Sequence, residues 1–167
     1  GEPVSSTAIR NFLSTGEVSN AAALLGRPYS LTGEVVHGDH IGRQLGFPTA
    51  NLDLINAEGD DSARYKLIPA DGIYAVITEI ENRRLPGMLY IGNRPTVGGK
   101  HTVLEVNVLE FNGDLYGKRL TVHLIDRIRG DIHFGNMEEL RLQLERDREA
   151  TWKVLNNIEN EVKSIRP

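Results

Sequence analysis

Six short β-type runs follow one another with no helical pattern between any two of them, and this leaves few folds open. They fall at 31–37, 50–54, 72–80, 84–92, 103–111 and 119–128, alternating with turn residues. Parallel neighbours need a crossover of a dozen or more residues, usually a helix. None is visible, so the sheet is expected to be mostly antiparallel, as a barrel or a sandwich. Asn112-Gly113 is a hairpin signal and predicts direct pairing of the fifth and sixth runs. The polar, irregular stretch 56–66 reads as a surface loop.

Both ends of the chain read as helix. Ser5, Ser6 and Thr7 can cap an N-terminus, and Ile9, Phe12 and Leu13 follow at helical spacing. A break at Ser14, Thr15 and Gly16 precedes a second short helix over 18–25, stopped by Gly26 and Pro28. At the other end Met137, Leu140, Leu144, Thr151, Leu155, Ile158, Val162 and Ile165 recur at spacings of three, four and seven. Asn136 with Glu139 makes a capping-box pattern at its start. This helix is expected to pack across the barrel.

Composition narrows the function classes. The 167 residues include no cysteine, which removes thiolate catalysis, disulfides and cysteine-ligated zinc. No apolar run reaches the ~20 residues of a membrane span, and the first ten residues lack the pattern of a signal peptide. A cytoplasmic protein with no membrane partner is the expectation. The net charge of −4 argues against a general electrostatic grip on nucleic acid. A bound anion would need a local cluster or backbone N–H groups.

Three stretches carry candidate chemistry. Gly38, Gly42 and Gly46 recur every four residues between the first two runs, with the cation Arg43 among them. Glycine lets backbone N–H groups approach a phosphate closely. The loop lacks the GxxxxGK[ST] pattern and opens a strand, so it is not a P-loop; the same composition also suits a plain mobile hairpin. Next, in Pro48-Thr49-Ala50-Asn51 strand alternation puts Thr49 and Asn51 on one face. A hydroxyl and an amide carbonyl are hard oxygen donors of the kind Mg²⁺ accepts alongside water and phosphate, or simply two polar residues on a wet face. Third, in 103–111 Leu104, Val106 and Val108 form a core face while Glu105 and Asn107 share the other. A carboxylate between apolar neighbours can serve as a general base with a raised pKa, or be an ordinary surface glutamate. His37 and His40 bracket Asp39 in the glycine-rich loop, but no third ligand at a zinc spacing is visible.

Together and in this order, these stretches resemble riboflavin kinase, the flavokinase module of bacterial bifunctional riboflavin kinase/FMN adenylyltransferases. The resemblance rests on GRQLGFPTAN at 42–51, PADGIYAV at 69–76, YIGNRPT at 90–96 and EVNVLEFNGDLYG at 105–117. It continues through RIR at 127–129 to Phe134, Leu140 and Asp147. It covers roughly residues 26–150. VSSTAIR at 4–10 resembles the motif that closes the adenylyltransferase domain of the same enzymes. Residues 1–25 are therefore expected to be a remnant of that otherwise missing N-terminal domain with linker helices, and 26–167 the kinase domain.

The resemblance implies a mainly β fold, a six-stranded antiparallel Greek-key barrel with a C-terminal helix and short N-terminal helices. It implies MgATP-dependent phosphorylation of riboflavin to FMN, with ADP as the other product; the full-length parent would also make FAD. Thr49 and Asn51 would bind Mg²⁺ and the ATP phosphates, with Gly38, Gly42, Arg43, Gly46 and Pro48 contributing to the nucleotide site. Glu105 would be the catalytic base and contact the flavin, and Arg129 would lie in a flap that folds over the flavin. One departure stands out: members commonly carry His two residues after the glutamate, where this chain has Asn107. Apart from catalysis, a non-catalytic flavin- or nucleotide-binding barrel uses the same scaffold.

Overall fold

The computed structural model describes residues 6–37, 46–54, 67–111 and 113–165. Six strands, β1 (Tyr29–Val36), β2 (Ala50–Leu54), β3 (Gly72–Ile80), β4 (Arg83–Thr96), β5 (Gly99–Val108) and β6 (Arg119–Arg129), close into a barrel in the order β1-β2-β5-β4-β3-β6. Every neighbouring pair is antiparallel. The expected six-stranded antiparallel barrel is therefore what forms.

The interior holds the alternate apolar residues of each strand. Leu31, Tyr74, Val76, Leu89, Ile91, Val106, Val122 and Leu124 are all essentially inaccessible to solvent. β3 is buried on both faces through most of its length, which is why GIYAVI reads as an unbroken apolar run. Its inner face fills the barrel, and its outer face lies under the C-terminal helix α3 (Met137–Ile165), which packs on β3, β4 and β6. That helix starts as its sequence suggests. Asn136 Oδ1 accepts from the Glu139 N–H at 2.9 Å, and Glu139 in turn accepts from the Gly135 N–H at 3.1 Å.

The two N-terminal helices, α1 (Ser6–Ser14) and α2 (Val18–Leu25), fall where the apolar spacing places them. Leu13, Val18 and Ala21 are buried in the same apolar cluster as the barrel interior. The Ala70 N–H also donates to the Leu13 carbonyl at 3.1 Å. These helices thus share the barrel's core.

Two expectations about turns are corrected. The fourth and fifth runs stop at Gly92 and start again at Val103 in the sequence reading, whereas β4 and β5 continue to Thr96 and Gly99. Past Ile91, β4 has no β3 partner, so Pro95 lies where no ladder donor is needed on that side. The tight turn closes through Gly98 at φ +93°, a conformation that favours glycine. The Asn112-Gly113 hairpin does not exist as a β5–β6 pairing, because closure places β2 and β1 between those strands. Asn112 itself lies outside the described residues, as does the whole 56–66 stretch. The connection instead runs alongside β1, where Gly117 N–H donates to the Val35 carbonyl and Val35 N–H to the Lys118 carbonyl, both at 2.9 Å.

Candidate functional site

Register brings the candidate residues together on the outer face of the barrel. In the β2–β5 pair Asn51 stands directly opposite Glu105, and in the β4–β5 pair Glu105 stands opposite Tyr90. Side chains opposite one another in an antiparallel pair share a face with their Cβ atoms about 5 Å apart. Asn51, Glu105 and Tyr90 therefore form a row across three strands.

Glu105 is the carboxylate of that row, with a side chain 19% exposed. Burial pushes its pKa above the ordinary carboxylate value. Arg94, further along β4, pulls the other way through an ion pair of 2.9 Å to Oε1. Tyr90 donates from its hydroxyl to Asp131 at 3.2 Å, and burial together with the Asp131 charge pushes the phenol up to about 12. It is a donor at any physiological pH. A side chain at Gly92 would collide with the Tyr90 phenol, so the absent Cβ is what lets that ring lie along the strand. Asp131 belongs to the segment after β6, and the bond fastens that segment to the strand next to Glu105.

Thr49, just before β2, lines a cleft of about 550 Å³ with Pro48, Ala50, Val35, Val106 and Val108. At its margin the His37 and Tyr116 rings stack with centroids 3.8 Å apart. A second cavity of about 470 Å³ shares Pro48 with the first and adds Gly46, Phe47, Asn107 and Trp152. Asn107, two residues past Glu105 on the same face, is buried, and its amide N–H donates to the Pro48 carbonyl at 2.6 Å.

Of the residues expected to act together, Asn51 on β2 and Glu105 on β5 face each other, and Gly46, Pro48 and Thr49 lead into β2. Arg129 is elsewhere, on β6, with β4 and β3 between it and β5. It donates to both carboxylate oxygens of Asp147 on α3, at 2.9–3.1 Å, and to the Gly130 carbonyl at 3.0 Å. Gly38, Gly42 and Arg43 lie outside the described residues. Sequence reasoning assigned no role to Arg94, Tyr90 or Asp131. Arg94 and Tyr90 stand within the YIGNRPT stretch, and the alternation that faces Glu105 outward also faces Tyr90 outward.

Mg²⁺ takes oxygen ligands and keeps several of them as water. Among the described residues no group of three or more His, Asp or Glu side chains is placed to hold a metal alone. Thr49 offers a neutral hard oxygen in the cleft lining, and Asn51, two residues on in β2, offers another. This chemistry fits an ion that brings most of its ligands as water and phosphate oxygen.

The family model described as riboflavin kinase matches residues 25–155. The bifunctional riboflavin kinase/FMN adenylyltransferase of Escherichia coli K12 is 41% identical over 148 residues, 88% of this chain and 44% of that protein. The protein of the same name from Bacillus subtilis is 36% identical over 158 residues, 93% of this chain and 48% of its own length. The chain thus spans about half the length of the curated relatives it matches. A crystal structure named as a macrolide-efflux protein from Streptococcus pneumoniae aligns with a TM-score of 0.80 at 39% identity, covering 89% of this chain and 46% of that one. Riboflavin kinase from Trypanosoma brucei shares the fold, with a TM-score of 0.56 at 23% identity over 84% of each chain.

Proposed function

The chain belongs to the riboflavin kinase family, and from that premise we propose that its barrel transfers the γ-phosphate of ATP to the 5′-hydroxyl of riboflavin, giving FMN and ADP. The observation that supports this best is the part-buried Glu105 directly opposite Asn51, on the strand that Thr49, a residue of the cleft lining, leads into. The cleft suits the nucleotide: its apolar wall of Val35, Val106 and Val108 and the stacked His37–Tyr116 pair are complementary to a purine. Thr49 and Asn51 then lie where the phosphate tail leaves the cleft. They are the residues that would hold Mg²⁺, which when bound neutralises charge on the β and γ oxygens.

The reaction forms a bond from the riboflavin 5′-oxygen to the γ-phosphorus and breaks the bond from that phosphorus to the β–γ bridging oxygen. ADP leaves, and the hydroxyl proton passes to Glu105. A hydroxyl is a weak nucleophile, and a carboxylate within hydrogen-bond reach orients it and takes the proton. Burial raises the proton affinity of Glu105, and the Arg94 guanidinium 2.9 Å away opposes that rise by favouring the charged form. Tyr90 through Asp131, and Arg129 through Asp147, hold the segment after β6 against the barrel, the side on which the flavin is proposed to lie. The efflux name carried by one structural neighbour is not extended to this chain. The match covers 46% of that protein, and among the described residues no helix is long and apolar enough to cross a membrane.

Incubating the purified chain with riboflavin and MgATP should yield FMN and ADP in equal amounts, read by chromatography. Binding of both without FMN would leave a flavin- and nucleotide-binding barrel and end the kinase proposal. Two further outcomes are expected. Thr49→Val keeps shape and removes a hydroxyl, and Asn51→Ala removes an amide oxygen. Each should cut turnover by roughly tenfold or more, the scale of one lost charge-assisted contact, and raise the Mg²⁺ needed for half-maximal rate. Normal rates at low Mg²⁺ in both variants would show that these side chains are not the metal's ligands.

The pH profile gives the third outcome. The reactive form of Glu105 is the carboxylate, so kcat/KM falls as pH drops through its pKa. Burial is expected to shift that acid limb upward from the position of a solvated carboxylate. Arg94→Met removes the lowering influence and should move the limb further toward neutral pH. A limb that stays in place would mean that Arg94 does not tune the base.

A further inference from the structure

We infer that Asn107 is a positioning residue for the phosphate end of the site, acting through the peptide that carries Thr49. The inference rests on the kinase reading above and deepens it. The β2–β5 ladder pairs Asn51 with Glu105 and Ala50 with Val106, and there it stops. Continued by one step, the same register would set Thr49 opposite Asn107. The backbone does not take that step, since β2 begins at Ala50. The Asn107 side chain takes it instead, its amide donating to the Pro48 carbonyl at 2.6 Å. Because the partner is a carbonyl, the group that faces it must be the amide NH₂.

The Pro48 carbonyl belongs to the same planar unit as the Thr49 N–H. Fixing the carbonyl fixes the plane of that unit, and with it the direction in which Thr49 leaves toward the cleft. The neighbouring residue is held as well: Phe47 is buried with Met88 and Leu109, packed by Leu144 and Trp152, with the Arg148 guanidinium 4.9 Å from its ring centre. Phe47 anchors the segment by its side chain, and Asn107 orients it by its backbone. Glu105 and Asn107 share one face of one strand, so β5 sets the base and the phosphate-facing residue relative to each other. A 1 Å error between such groups is costly in phosphoryl transfer, where catalysis is mainly positioning. Asn107 touches neither substrate in this account. It requires only an N–H donor at that depth, a requirement that His also meets and Leu and Asp do not.

The test compares Asn107→Leu, Asn107→Asp and Asn107→His with the parent in three measurements: MgADP affinity by calorimetry, riboflavin affinity without nucleotide, and the Thr49 backbone amide resonance without nucleotide or metal. Leu and Asp should weaken MgADP binding about tenfold, the size of one lost buried hydrogen bond, and shift the Thr49 resonance. Riboflavin affinity should stay within about twofold, and His should restore both nucleotide affinity and resonance. MgADP affinity and Thr49 resonance unchanged in Leu and Asp would overturn the inference, as would a His variant no better than Leu. If Leu disrupts folding, the near-isosteric Asp and the donor-bearing His still decide the matter. A parent that forms no FMN removes the kinase reading and this one together; an active parent with indifferent variants removes this one alone.

Discussion

Replacing Glu105 with Gln should lower kcat for FMN formation by ~10²–10⁴, the usual contribution of a positioned general base. Gln keeps the length and one carbonyl oxygen but can neither hold the charge nor accept the proton. The loss should fall on kcat more than on KM, because a group that acts in the transition state adds little to ground-state affinity. Stability should move the other way. The folded-state pKa of Glu105 is raised above its unfolded value, chiefly by burial. Its contribution to stability is therefore complete below the unfolded pKa and is lost as pH rises through the folded pKa. At neutral pH the buried charge is a burden on the fold that Gln lifts. Arg94, with 42% of its side chain exposed, remains solvated after losing this partner. The variant should melt no lower than the parent at pH 7. Glu34→Gln, an exposed carboxylate on β1, is the control and should stay within about twofold of the parent rate. A folded Glu105→Gln protein that turns over like the control would remove Glu105 from the mechanism.

That such a prediction can be made from the sequence follows from how an antiparallel barrel is written. One wall of each strand must be apolar, so Leu104, Val106 and Val108 declare the core and leave Glu105 and Asn107 outside. β2 and β3 start where expected because Pro48 stands just before one and Pro69 and Gly72 open the other. Closure is less legible. Asn112-Gly113 carries a hairpin signal, but a turn's local preference cannot report that β2 and β1 will stand between the strands it joins. The long β4–β5 hairpin is disguised by Pro95 and the paired glycines, which are tolerated because β4 loses its β3 neighbour there. Contacts between residues distant in sequence are the hardest to read. Asn107 and Pro48 are 59 positions apart, and only the finished register shows that they meet. The same holds for Arg129, whose place in a flap-like stretch suggests a ligand contact, while its partner Asp147 comes from the buried side of a helix, 18 residues on.

That pair yields the largest expected change in stability. Asp147 is 1% exposed and the Arg129 side chain 13%, and Gln143 adds a bond of 3.0 Å to the same carboxylate. The Arg129 guanidinium also donates to the Gly130 carbonyl and lies 5.6 Å from the centre of the Phe134 ring. It thus joins β6, the segment after it and α3. Asp147→Ala leaves that cation buried without its counter-charge, which costs about 3–5 kcal/mol. For a chain of this length the melting temperature should fall by roughly 6–20 °C. Arg129→Met strands the carboxylate instead and should cost a comparable amount. The double replacement Arg129→Met with Asp147→Leu removes both charges and keeps the volume apolar, so it should be more stable than either single variant. Urea unfolding of the four proteins closes the cycle; a double variant as unstable as the sum of the singles would mean that the two side chains do not act as a pair. The same double variant then separates clamp from ligand. If Arg129 serves the flavin only by holding the 130–136 segment, riboflavin affinity should follow the hold that remains through Tyr90 and Asp131, and Tyr90→Phe added to the double variant should lower it further. If the guanidinium contacts the flavin itself, affinity should already be lost in the stable double variant, and Tyr90→Phe should add nothing.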